Sequence, residues 1–242
     1  MYQDILTIAV VTVFAFFAIY WMWFQGEVDG SRLIAKNSMK QQKFNIILVL
    51  VAAFIVKAIL AVKNEGYSVD ITCFRSWSET VFTGGLSHFY EGDVTDYPPG
   101  YMLVLWLVAA IRHLFNIDNY STTGLFMIKL FPMLFDLAAA YLIYVMAKKR
   151  FSEGMSLMLS TLYALNPAVV IDSSVWGQVD GVLCCMVLLT CYLFMEEKRI
   201  LAYFAFCAGV LLKPQMVMFA PIIIYSIIEQ VFLHDFNTKK ML

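Results

Sequence analysis

Apolar residues run along this chain in long blocks, and polar residues are confined to the stretches between them. Residues 5–24 carry no charge and, at about 20 residues, are long enough to span a bilayer as a helix. A second block, 44–62, is interrupted by Lys57 near its far end. Further blocks cover 98–111, 123–147 (with Lys129 and Asp136 inside), 154–171, 181–195 and 200–228. The last is long enough for two short passes, broken at Lys213-Pro214-Gln215, where proline removes an amide donor and tends to break a helix. The pattern predicts an all-α polytopic membrane protein of about seven transmembrane helices. The first block is read as a span and not a secretory signal. Asp4 stands where a signal carries Lys or Arg, the apolar run is too long, and no small-residue cleavage site follows.

Composition agrees: 61% of the 242 residues are hydrophobic and 14% charged, against about 45–50% and 25% in soluble domains. The net charge of -1 leaves no basic excess for nucleic acid. Four of the five cysteines lie in apolar runs, so neither a disulfide framework nor a CxxC metal pair is implied. No internal repeat and no separate soluble domain is visible, which makes residues 1–242 a single membrane domain.

Lys and Arg in short loops set the direction of the passes. Arg32, Lys36, Lys40 and Lys43 place the first loop in the cytoplasm, and Lys148, Lys149 and Arg150 mark the next cytoplasmic turn. Between them only one full crossing fits, and 98–111, about 14 residues long, is the weaker candidate. It is read as an interfacial helix of a large extracytoplasmic loop, 64–121. Lys198-Arg199 and Lys239-Lys240 then fall inside as well, and the stretch 172–180 and Lys213 fall outside.

Four sets of residues could carry chemistry. In the outer loop, a helix over 69–82 puts Asp70, Phe74 and Trp77 on one face and pairs Arg75 with Glu79 at i, i+4. Asp70 then sits near the outer interface, where a carboxylate can meet both a lipid headgroup and a water-borne substrate; a capping or solvated Asp is the plainer reading. Asp96-Tyr97-Pro98-Pro99 makes an extended turn before the next helix, with Asp96 as a turn former. Trp176, Gln178 and Asp180 combine a stacking face with polar groups that suit a sugar, and an interfacial tryptophan is the alternative. Lys213, flanked by apolar residues, is either functional or a snorkelling lysine. Lys129 and Asp136 lie two helical turns apart, about 10 Å, too far for direct contact, and Asp136 is expected to face other helices.

The run D-I-T-C-F-R-S-W-S-E from Asp70, with Arg75, Trp77 and Glu79, resembles the first extracytoplasmic loop of the dolichyl-phosphate-glucose-dependent glucosyltransferases. The loop continues through Gly84-Gly85 and Phe89-Tyr90 to Asp96-Tyr97-Pro98-Pro99, as theirs does. Trp176-Gly177-Gln178-Val179-Asp180 and Lys213-Pro214-Gln215-Met216 are more similar to bacterial relatives of the GPI-anchor mannosyltransferases. All belong to the GT-C class of integral membrane glycosyltransferases. The resemblance implies a GT-C-like core over 44–233 that corresponds to the N-terminal half of the class and lacks its C-terminal helices, which a partner would then supply.

The resemblance also implies a function. A hexose, mannose or glucose, moves with inversion from a polyprenyl-phosphate donor to a glycan or lipid-linked acceptor on the extracytoplasmic face of the plasma membrane. Asp70 is the base. Arg75, Trp77, Glu79, Asp96, Tyr97, Trp176, Gln178, Asp180, Lys213 and Gln215 bind substrate, with Lys213 and Arg75 offsetting the phosphate charge. No metal and no cofactor is called for. The rival readings are a transporter or channel subunit with Lys129, Asp136 and Lys213 along a path, and an inactive truncated GT-C fragment. Against transport, the acids concentrate in the outer loop rather than in broken midplane helices.

Overall fold

The computed structural model describes residues 39–92, 95 and 97–229. The first apolar block, Asp96 and the last basic pair lie outside them. Every regular element among the described residues is helical. The elements are α1 (Met39–Lys63), α2 (Ser68–Gly92), α3 (Pro99–Leu114), α4 (Thr122–Ala147), α5 (Glu153–Ala164), the short α6 (Pro167–Val170), a π turn (Ile171–Trp176), α7 (Asp180–Met195), α8 (Arg199–Leu212), a 3-10 turn (Pro214–Phe219) and α9 (Ala220–Ile228).

Two helices are long and apolar enough to cross a membrane, Lys43–Lys63 and Thr122–Ala147. The pair Glu153–Ala164 and Pro167–Trp176, bent by 47°, is a third if it counts as one broken span. The remaining apolar helices are shorter: Pro99–Leu114, Asp180–Met195, Arg199–Leu212 and Pro214–Ile228. The 154–171 block, expected as one helix, is thus divided. Pro167 stands at the first helical position with Asn166 as its cap, accepting from the Ala168 amide at 2.9 Å.

The chain divides into two compact units, one drawing on Met1–Tyr67 and Pro132–Gly181, the other on Ser68–Phe131 and Val182–Leu242. In the first, α1, the C-terminal part of α4, and α5 meet along a seam of fully buried Ala53, Ala140 and Ala164. Small side chains let helix backbones approach closely, the usual packing of membrane helices. Ser160 Oγ donates to the Ala140 carbonyl at 2.8 Å across that seam. Ile46, Tyr144 and Leu157 continue it.

In the second unit α2 packs on α3 and α3 on α8. Gly100 opens the latter contact: a Cβ there would stand 2.5 Å from the Leu211 carbonyl oxygen. Helix α2 runs past the 69–82 expected from the sequence, and its helical path is interrupted at Gly85 (φ 76, ψ 173). Pro98 is extended (φ -73, ψ 168) and α3 begins at Pro99, as the double proline anticipates.

Candidate functional site

Asp70, Arg75, Trp77 and Glu79 all lie on α2, in the second unit with Tyr97, Lys213 and Gln215. Their helix is anchored by aromatics. Phe74 is buried, and its ring meets those of Trp77, Tyr97 and Tyr101 at 5.9, 5.9 and 5.7 Å between centroids. Trp77 also meets Tyr97 at 5.6 Å and Phe89 at 6.2 Å. Edge-on and tilted contacts of this kind suit aromatic quadrupoles. Tyr97 itself is held through its carbonyl, which accepts from Tyr90 Oη at 2.9 Å. Trp77 and Tyr97 are therefore half-buried parts of one cluster, with Asp70 one turn before Phe74 and also half-buried.

Arg75 and Glu79 do not pair with one another. Glu79 Oε1 accepts from Arg112 Nη2, and Glu79 Oε2 lies 3.0 Å from His113 Nε2. Both partners come from the last turn of α3, and the His113 ring stacks on Phe82 at 4.5 Å. Desolvation of Glu79 raises its pKa, but the bonds from His113 and Arg112, and their charges, outweigh it and hold the carboxyl below its ordinary range. Arg75 turns instead to the loop after α3. Its guanidinium lies 5.1 Å from the Tyr120 ring centroid, and its carbonyl accepts from Asn119 Nδ2 at 3.3 Å. Its Nε is shielded from solvent and has no hydrogen-bond partner. Arg112, His113, Asn119 and Tyr120 were not singled out from the sequence. The only sign of them was a charged pair ending an apolar block.

Lys213 is 4% exposed and sits in extended backbone (φ -147, ψ 119) between α8 and the 3-10 turn. Its amide donates to Gly209 at 2.8 Å and its carbonyl accepts from Met216 at 3.1 Å. Gln215, two residues on, is exposed.

The first unit holds Trp176, Gln178 and Asp180. The π turn ends at Gly177, whose left-handed backbone (φ 88, ψ 23) suits a residue without Cβ. The amides of Gly177 and Gln178 both donate to the Asp172 carbonyl at 2.9 Å, closing the corner. Trp176 is exposed, with its carbonyl accepting from the Tyr67 amide at 2.9 Å and its ring 5.0 Å from that of Tyr67. Gln178 Oε1 accepts from the Val179 amide at 3.0 Å, and Asp180 opens α7 exposed. Within five residues this corner carries an exposed aromatic ring, an amide and an exposed carboxylate, the group types that suit a sugar ring and its hydroxyls.

Lys57, seen in the sequence only as an interruption, pairs with Asp136 at 2.8 Å, both buried. Asp136 thus faces other helices, as expected. No group of three or more His, Cys, Asp or Glu side chains converges to hold a metal among the described residues.

Residues 96–241 match the family described as dolichyl-phosphate-mannose-protein mannosyltransferase. The chain is also similar to GPI mannosyltransferase 1 of Saccharomyces cerevisiae, 27% identical over 128 residues, half of this chain. That match spans 29% of the yeast protein's length. No solved structure matches.

Proposed function

The chain belongs to the dolichyl-phosphate-mannose-protein mannosyltransferase family, and from that membership we propose that it transfers a hexose, with mannose the first candidate, from a polyprenyl-phosphate donor. The acceptor is a glycan or lipid-linked hydroxyl on the extracytoplasmic face of the plasma membrane. The observation that carries this reading is the family match over 96–241, which contains both the Trp176–Asp180 corner and Lys213-Pro214-Gln215. Asp70 lies before it, so its role rests on the D-x4-R-x-W-x-E spacing and on the aromatic anchoring of α2.

In the proposed reaction the acceptor oxygen attacks C1 of the donor sugar from the face opposite the phosphate, which inverts that carbon. Asp70 accepts the acceptor's proton as the bond forms. The C1–O bond breaks, and polyprenyl phosphate leaves with the electron pair. It needs no proton near neutral pH, but its charge must be met. Lys213, buried, and Arg75, whose Nε is unbonded, are cations suited to that. Trp176 stacks on the sugar, and Gln178 and Asp180 bond its hydroxyls. Trp77 and Tyr97 shape the wall beside Asp70, and Glu79 fixes α2 to α3. Asp96, from the Asp96-Tyr97-Pro98-Pro99 run, joins the substrate-binding set. About seven crossings, with the basic clusters in the cytoplasm, put the loop 64–121 on the outer face. The transporter reading draws on Asp136, whose carboxylate is engaged by Lys57.

The test is transfer from polyprenyl-phosphate mannose, with the glucose donor in parallel, by membranes carrying the wild type or Asp70→Asn. Loss of transfer with retained donor binding is expected. Near-normal turnover of Asp70→Asn removes Asp70 from the role. Binding of neither donor by the wild type overturns the reading.

A further inference from the structure

Lys57 is fully buried within the apolar helix α1 and donates to three oxygens: Asp136 Oδ2 at 2.8 Å, Ser173 Oγ at 3.0 Å and the Val169 carbonyl at 3.1 Å. An ammonium has three donors, so all are used. One of these bonds joins α1 to α4. The other two reach α6 and the π turn, the segment that leads directly into Trp176. Ser173 Oγ also donates to the Val169 carbonyl at 3.1 Å, so the turn is closed on the same atoms. Asp136 touches the far side of the same corner. A Cβ on Gly181 would stand 2.2 Å from Asp136 Oδ1, so the carboxylate lies against the backbone where α7 begins.

The ion pair therefore bonds one end of residues 173–181 and packs against the other, and Trp176, Gln178 and Asp180 lie between those ends. π turns are rare and recur at functional sites, where they aim a side chain. A buried ion pair is weak support for stability by itself, since hydrophobic replacements often serve as well. Its use here is geometric.

We infer that Lys57 and Asp136 are positioning residues for the Trp176-Gly177-Gln178 corner, setting where the Trp176 ring and the Gln178 amide stand against the donor sugar. This rests on the transferase reading above, in which that corner meets the donor.

The test uses the whole chain in nanodiscs, with a short-chain polyprenyl-phosphate mannose as probe. The single variant Lys57→Met leaves a buried carboxylate unpaired and can fail to fold. The double variant Lys57→Met/Asp136→Asn removes both charges at nearly constant volume, and Lys57→Arg keeps the charge. In the double variant the melting temperature and the amide protection of α1 and α5 are expected to stay near wild type. Amide exchange of 171–178 is expected to speed up, and donor affinity to fall by roughly tenfold, the scale of one lost hydrogen bond. Lys57→Arg is expected to recover part of both. Unchanged exchange at 171–178 in a folded double variant overturns the inference, and so does a loosened corner with unaltered donor affinity. If the wild type takes up no probe, the transferase reading fails on its own, while exchange at the corner still decides whether the pair positions it.

Discussion

A charged side chain in an apolar stretch poses the question of its partner, and here the sequence posed it without answering it. Lys57 and Asp136 are separated by 79 positions, so no helical or strand spacing links them. The usable sign was chemical: a lysine in one apolar block and a carboxylate in another. Glu79 teaches the converse. Its spacing from Arg75 is right for an i, i+4 pair, yet Arg112 and His113 take both of its oxygens from a neighbouring helix. Spacing makes residues neighbours; competing donors decide whom they bond. Because Glu79 is held below its ordinary range, its contribution is present above the unfolded value of about 4.3 and is lost as pH falls through the lower folded value. The contact between α2 and α3 should loosen in acid, and Glu79→Gln should abolish that acid-induced change, read as amide exchange over Ser68–Gly92. Lys213 gives a second residue-scale prediction. A charge-assisted bond to donor phosphate is worth about 1.5–3 kcal/mol, so Lys213→Gln should weaken donor binding roughly ten- to over a hundredfold, and Lys213→Arg should restore part of it. Equal affinity of Lys213→Gln and wild type would remove this lysine from donor binding.

At the scale of elements, most helices were legible because apolar length and proline are local signals. The break at Pro214, the start of α3 at Pro99 and the long helices α1 and α4 follow from them. What was missed is how an apolar block divides. Residues 154–171 read as one span, and the span they can make is a broken one, bent by 47° where Asn166-Pro167 supplies a cap and a first helical position. Composition could not foretell the π turn, since its extra residue per turn is set by where Val169, Ser173 and Asp172 find bonds. Gly177 ends that turn with φ 88. A Cβ in the left-handed region costs about 1–2 kcal/mol. Gly177→Ala should therefore lower thermal stability by a few degrees and loosen Trp176, measured as greater quenching of Trp176 fluorescence by iodide. An unchanged melting curve and unchanged quenching would show that the corner is held without help from this glycine.

For the whole molecule, the all-helical class was legible from composition, and loop charge predicts a direction for the passes. That assignment makes Ser87 and Ser121 share the outer side, so single cysteines at both positions in a cysteine-free chain should be labelled by the same impermeant reagent. Opposite accessibility would move the loop across the membrane. The Lys57–Asp136 pair also bears on how the molecule is made. Chains emerge N-terminal end first at about 5–20 residues per second, so roughly 4–16 s pass between synthesis of Lys57 and of its partner 79 positions later. During that interval α1 must enter the bilayer with an uncompensated lysine, a burden of about 2.5–3.5 kcal/mol near the middle of a span and less toward its end. Ile46, Ile47, Leu48, Leu50, Val51 and their neighbours, each favouring insertion by about 0.3–0.6 kcal/mol, are enough to carry it in. The arrival of α4 then discharges the burden, so Asp136→Leu should leave insertion of α1 intact yet expose the nascent protein to quality-control proteolysis.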